Sequence, residues 1–360
     1  MQIIKKREIF PHFLSRNRII INSFQLKIQV QRRPKFKILK IICKNILIWR
    51  ILYRYLILFL LPKIKIKKKQ DWAISTSQQK RQNNKKLIIV FPGLVSSTNE
   101  PYIQNIMSKM YMEGYKVCLI NDRIYTNRDP CKTIELPENE YFSFVKDCRE
   151  VINIIKQEYQ DYQFYAIGHS FGANTLAKYL GDFSNENPFL AAVCVSNPWD
   201  FYIGIRHLSQ IADNYLVSSR KKVLMLHKER FFDKNQKLFD YQKIDCSKNC
   251  IEFDNQFIVK AQGYKTADQY YRNISSIHAI DKIKIPVLFL QSKDDPILNY
   301  RTIPYDEVMH THNLIMVVTN TGGHVGWFEG LFQPKRWYIK PTLEFLQAVD
   351  FLNENSNVKK

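Results

Sequence analysis

Acidic residues are almost missing from the first 70 positions, where Glu8 alone stands against 19 lysines and arginines. That segment carries +18 of the chain's formal +21, and the rest, with 35 basic and 32 acidic residues, carries +3. The basic excess therefore belongs to an extension. The near-neutral body suits an enzyme or a binding domain, and the extension suits an anionic surface. Cysteine is sparse and odd in number, with seven scattered at 43, 118, 131, 148, 194, 246 and 250. That excludes a disulfide framework and reads as reduced thiols facing the cytosol. Cys118 and Cys194 sit in apolar runs, where a thiol acts as a small hydrophobe. Cys246 and Cys250 are the one close pair, and no matching Cys/His pair completes a zinc site, so no metal or cofactor is expected. Internal repeats are lacking. So is the short apolar core with a small-residue cleavage site that a secretory leader needs. With 45% apolar and 24% charged residues, a wholly disordered or collagen-like chain is excluded.

The extension also lacks a charge-free apolar run long enough to cross a bilayer. Tyr55–Leu61 is too short, and Ile46–Leu61 as a helix reaches only about 24 Å against a ~30 Å hydrocarbon core. Ile38–Leu61 is strongly apolar but carries Lys40, Lys44, Arg50 and Arg54, which fall on one helical arc of about 120°. A longer span would include Arg50 and Arg54, each costing about 2.5–3.5 kcal/mol near the bilayer centre. Trp49, Tyr53 and Tyr55 suit an interface, Pro62 ends the helix, and Lys63, Lys65, Lys67, Lys68 and Lys69 follow. Residues 1–70 are thus expected to contact a membrane surface, lying in the interface or spanning with strain. A helix packed on the body and a poorly ordered tail are the alternatives. Within the extension, residues 24–31 alternate as a strand does. No nucleic-acid partner is expected, because no nucleic-acid motif accompanies the charge.

From Asp71 onward, short apolar runs alternate with helical patterns. Strands are predicted at 87–91, 115–121, 164–168, 191–196, 287–291 and 314–319. Helices are predicted at 102–113, ended by Gly114, at 141–158, and at 171–180, ended by Gly181. Strands alternating with helices give a mostly parallel sheet covered on both faces, an α/β architecture. Residues 200–275 break the rhythm. They are aromatic-rich and helical in pattern, with Phe231, Phe232, Phe253, Phe257, Tyr270 and Tyr271 among them, and read as an inserted cap. The body is taken as 71–352, and 353–360 as a polar, frayed tail.

The segment FYAIGHSFGANTLAKYLG holds Gly168-His169-Ser170-Phe171-Gly172. A G-x-S-x-G match alone is weak. Here it closes a strand and opens a helix, which is the setting of a nucleophile elbow. A serine hydroxyl needs a base, and the base needs an orienting carboxylate, in the chain order Ser, acid, His. Downstream, VLFLQSKDDPIL runs from a strand into Asp294-Asp295, and LIMVVTNTGGHVGW from a strand into a glycine-rich loop bearing His324. Both lie past strand carboxyl ends, where open parallel sheets bind ligands. Ser170, Asp295 and His324 are the expected triad, with Asp294 the open alternative for the acid and the other seven histidines non-catalytic. Oxyanion donors are expected from the backbone N–H groups of Phe171 and Leu94; Pro92 has none to give.

These residues resemble the α/β-hydrolase family 4 of membrane-anchored lipases and esterases. That family includes phospholipase-like animal members, fungal medium-chain ester synthases and plant embryogenesis-associated proteins. The similarity runs from Asp71 to Gly330 through PGLVSSTNEPYI, GHSFGAN, VSNPWD, GYKTADQYYRNISS, KDDPI, IPYDEV and GGHVGWFEG. It implies the α/β-hydrolase fold and maps the family triad onto Ser170, Asp295 and His324. Two departures stand out: Arg123 is followed by Ile124 where the family commonly has glycine, and Ala173 replaces a second glycine after the elbow. The resemblance implies a serine hydrolase of lipid carboxylic esters, a phospholipid or monoacylglycerol, membrane-associated with its catalytic domain cytosolic. Acyl transfer to an alcohol by the same triad and a catalytically silent binding protein are the alternatives.

Overall fold

The computed structural model describes residues 2–4, 85–120, 144–226, 228, 238–332 and 334–357. The expected anchor helix, the strand at 24–31, the Arg123-Ile124 step and the cap aromatics Phe231 and Phe232 lie outside them. Among the described residues no helix is long and apolar enough to cross a membrane.

Continuous apolar runs suit strands covered on both faces, and each becomes one. β1 is Gln2–Ile4, β2 Lys86–Phe91, β3 Lys116–Leu119, β4 Gln163–His169, β5 Phe189–Val195, β6 Val287–Ser292 and β7 Leu314–Thr319. The sheet order is β1-β7-β6-β5-β4-β2-β3. All pairings are parallel except β1, which runs antiparallel to β7 with Ile3 opposite Val317. Its three residues come from the extension, an edge strand too short to leave a periodic signal. The helices are α1 (Pro101–Met112), α2 (Phe144–Glu158), α3 (Phe171–Asp182), α4 (Gln210–Leu226), α5 (Cys250–Gln256), α6 (Ala267–Ile274) and α7 (Ile339–Asn357), with shorter turns between them. α7 continues through residues 353–357, which were expected to fray.

The α1 stop is as expected. Gly114 takes φ 92°, its N–H donates to the Tyr111 carbonyl, and that of Tyr115 reaches Met110, a left-handed glycine cap. The α3 stop is not. The helix runs through Gly181 to Asp182. Gly181 is there because a Cβ would lie 2.1 Å from the Ala279 carbonyl oxygen; it permits close packing inside the helix and does not end it.

One face of the sheet, with Leu87, Ile89 and Phe91, packs against Ile152 of α2 and Leu176 of α3. Toward α7, Tyr115 and Tyr165 donate hydrogen bonds to the buried Asp350 carboxylate, which Lys86 also meets at 3.0 Å. Between β5 and β6 the chain forms the aromatic-rich helical insertion, whose own apolar cluster holds Phe253, Phe257, Tyr270 and Tyr271. Inside it, Asp254 is buried and accepts from Arg220 and from Tyr271 at 2.6 Å. Phe171 belongs to this cluster, so α3 joins sheet and insertion.

Candidate active site

β2 leads outward to β3, and the chain returns to place β4 on the other side of β2. The carboxyl ends of β2 and β4 therefore flank the point where the connections reverse, where a crevice opens in such sheets. The segments leaving those two strands are Pro92-Gly93-Leu94 and Ser170.

Ser170 has φ 53° and ψ −122°, strained for a residue with a Cβ. Its N–H donates to the Val195 carbonyl at 2.8 Å, and its own carbonyl accepts from Ala173 and Asn174. The two glycines of the motif are there for space. A Cβ on Gly168 would lie 2.6 Å from the Ala173 Cα, and one on Gly172 would lie 2.2 Å from the Pro92 oxygen. The turn keeps this form with Ala173 in place of glycine. Asn174 joins α3 to the end of the insertion, donating to the Ile274 carbonyl at 2.8 Å and accepting from the Ser276 N–H at 2.9 Å.

His324 Nε2 lies 2.7 Å from Ser170 Oγ, and its Nδ1 lies 2.7 Å from Asp295 Oδ2. The Asp295 side chain is 1% exposed and that of His324 16%. Asp295 Oδ1 accepts from the Ile297 and Leu298 N–H groups at 2.8 and 2.9 Å. Asp294 turns elsewhere, accepting from the Gly323 N–H at 2.8 Å, so it holds the histidine loop and does not face the imidazole. Ser292 donates to the Gly323 carbonyl at 2.8 Å. Ser196, at φ 53°, accepts from the Val325 N–H at 3.2 Å. Trp327 Nε1 donates to Thr319 at 2.8 Å. The histidine loop is thus tied to the ends of β5, β6 and β7.

The loop after β2 lies against the serine: a Cβ on Gly93 would sit 3.4 Å from that of Ser170. Among the described residues, neither the Leu94 N–H nor the Phe171 N–H has an acceptor. The Gly93 N–H is occupied, donating to Tyr102 Oη at 2.8 Å. Burial pushes the Tyr102 pKa up to about 12, so the acceptor is a neutral phenol. The Tyr102 ring packs at a tilt against His169, centroids 5.1 Å apart, and the His169 Nε2 meets Tyr338 Oη at 3.2 Å. Burial pushes His169 down to about 3, a hydrogen bond with the Phe91 backbone opposes the shift and the Arg336 charge adds to it. His169 is a neutral, fully buried ring between two tyrosines.

Sequence reasoning missed Tyr102, Ser196 and the loop role of Asp294. Tyr102 and Ser196 lie inside PGLVSSTNEPYI and VSNPWD, motifs read only as marks of resemblance. Phe171, the residue after the serine, packs on Phe144 at 4.7 Å and on Phe201 at 5.8 Å, with Leu94 and Val95 against the same apolar cluster.

Residues 82–329 match the family described as serine aminopeptidase, S33, and the chain belongs to that α/β-hydrolase family. Its relatives include a monoacylglycerol lipase of Saccharomyces cerevisiae, 29% identical over 73% of this chain and 59% of that protein. A medium-chain fatty acid ethyl ester synthase/esterase 2 of the same yeast is 26% identical, over 76% and 65%. Phospholipase ABHD3 of Mus musculus is 26% identical, over 75% and 66%. The chain spans between 59% and 66% of the length of these three relatives.

Proposed function

We propose that this protein is a serine hydrolase that cleaves carboxylic esters of lipids, a monoacylglycerol or phospholipid. Ser170 Oγ attacks the acyl carbonyl while His324 takes its proton and later returns it to the leaving alcohol. Asp295 holds the imidazole tautomer that points Nε2 at the serine and stabilises the imidazolium. The Leu94 and Phe171 N–H groups receive the oxyanion. Water, activated by His324, then releases the acyl chain. The observation that carries this reading is the imidazole bridging Ser170 and Asp295 at 2.7 Å on each side. The apolar rings of Phe144, Phe171 and Phe201 packed next to the serine favour an acyl chain as the occupant of the site, and the lipases and phospholipases among its relatives support a lipid ester.

The test is covalent labelling with a fluorophosphonate, joined to turnover of an ester panel graded by chain length. Wild type is expected to label and Ser170→Ala to stay unlabelled, with turnover rising toward longer acyl chains. A folded wild type that refuses the probe overturns the hydrolase reading, and a flat short-chain preference overturns the lipid part alone. The name of the yeast synthase/esterase favours a second outcome of the same acyl-enzyme, transfer to an alcohol. Ester formation on adding ethanol separates the two.

A further inference from the structure

Immediately after the histidine loop the chain makes a hairpin, β8 (Phe328–Glu329) against β9 (Lys335–Arg336). Its base is closed by the Trp337 N–H donating to the Trp327 carbonyl at 2.8 Å. Gly330 at φ 88° opens the turn. The turn then presents Leu331 and Phe332 with 87% and 92% of their surface in water, beyond any other large apolar side chain among the described residues. Single exposed apolar residues are ordinary; two adjacent ones at the end of a projecting turn are not.

The hairpin does not hang free. Arg336 lies 4.8 Å from the Phe328 ring and donates to Asn105 near the start of α1. α1 follows the loop bearing Gly93, and the hairpin follows His324, so the turn stands at the carboxyl edge of the sheet beside the candidate site. Along residues 328–343 the charged side chains are Lys335, Arg336 and Lys340 against Glu329, and Lys335 and Lys340 are exposed. An apolar turn followed in sequence by exposed lysines complements an anionic lipid surface, where side chains enter the acyl boundary and ammonium groups meet head groups.

We infer that the Leu331–Phe332 turn inserts into an anionic lipid surface and seats the mouth of the site on it. The inference rests on the lipid-ester reading for its purpose, and the contacting segment is distinct from residues 1–70, which are expected to meet the same kind of surface.

The test uses the full chain, so the basic extension is present in every sample and cancels in the comparison. Wild type and Leu331→Ser/Phe332→Ser are measured on a soluble short-chain ester and on a long-chain fluorogenic ester carried in phosphatidylcholine–phosphatidylglycerol vesicles. The double variant is expected to keep soluble turnover and to lose vesicle turnover by about tenfold or more, as two large side chains no longer leave water. In parallel, Phe332→Trp is expected to gain blue-shifted emission on vesicles, quenched by bromine-labelled acyl chains beyond the wild-type signal. Lys335→Glu/Lys340→Glu is expected to weaken binding to the anionic vesicles more than to pure phosphatidylcholine. Vesicle turnover unchanged in the serine variant, or emission from the Phe332→Trp variant that is indifferent to brominated lipid, overturns the inference. So does a lipid-free oligomer that the serine variant dissociates, because the turn would then be covered by a second copy. If no ester is turned over at all, the hydrolase reading fails while the quenching still decides the docking.

Discussion

Tyr102 touches no reacting atom in the proposed scheme, yet it holds the loop that supplies one oxyanion donor. Its oxygen accepts the Gly93 N–H at 2.8 Å, and the next N–H, on Leu94, has no acceptor among the described residues. Tyr102→Phe leaves the Gly93 donor unmet in a buried place, which costs about 1–3 kcal/mol, and loosens the loop. The expected outcome is a fall in kcat of about tenfold with KM little changed, below the 10²–10³ loss that removing an oxyanion donor itself brings. A change in KM alone would make Tyr102 structural. His169, beside the serine, invites a catalytic reading that burial denies. Its pKa falls from 6.5 to about 3 through desolvation, between Tyr102 and Tyr338 and with Arg336 nearby. The unfolded chain therefore takes up this proton first. Its penalty is absent above pH 6.5 and grows as the pH falls toward about 3, with a slope of about 1.4 kcal/mol per pH unit. His169→Asn should be less stable near neutrality, yet lose stability more slowly on acidification, as followed by urea midpoints across that window. Of these residues, Ser170 and His324 were legible because each lies in a short motif at a strand end. Asp295 was already the sequence's choice over Asp294; what only packing could say is the other carboxylate's use, since Asp294 accepts from the Gly323 N–H while Asp295 Oδ2 lies 2.7 Å from the imidazole.

At the scale of elements, the buried parallel strands were legible because a strand covered on both faces needs apolar residues at every position. β1 and the β8–β9 hairpin were not, being two or three residues long and fixed by tertiary pairing. Gly181 shows the same limit in a helix: the sequence pattern marks a stop, and the packed structure uses the missing Cβ for contact with Ala279. Two glycines in one helix thus make separable predictions. Gly181→Ala drives a Cβ to 2.1 Å from the Ala279 oxygen and should cost about 1–3 kcal/mol of stability, with the turnover of the folded fraction largely kept. Gly172→Ala drives one to 2.2 Å from the Pro92 oxygen, where α3 meets the loop bearing the oxyanion donor. It should depress fluorophosphonate labelling per folded molecule as well as the urea midpoint. Equal losses of labelling in both variants would mean that α3 shifts as one body, with no special role for its first turn.

For the molecule as a whole, the uneven charge and the apolar turn imply two attractions to a lipid surface that salt can separate. Residues 1–70 hold +18 of the net +21, and each lysine or arginine brought near an anionic leaflet contributes about 1 kcal/mol. That attraction is screened as the Debye length shrinks from about 10 Å at 0.1 M salt to about 3 Å at 1 M. Burial of Leu331 and Phe332 is not screened. Cosedimentation of the full chain with anionic vesicles should therefore fall steeply as salt rises and level off above zero, and Leu331→Ser/Phe332→Ser should lower that plateau. A chain held by the charge of the extension alone would be released completely at high salt, and a plateau that the serine variant leaves unchanged would belong to the apolar Ile38–Leu61 segment instead. A chain whose extension contributes nothing would lose with salt only the part that Lys335→Glu/Lys340→Glu also removes. Retention of the same chain on RNA, with no plateau at high salt and no response to the serine variant, would assign the basic segment to a polyanion instead and leave the turn as the one lipid-facing feature.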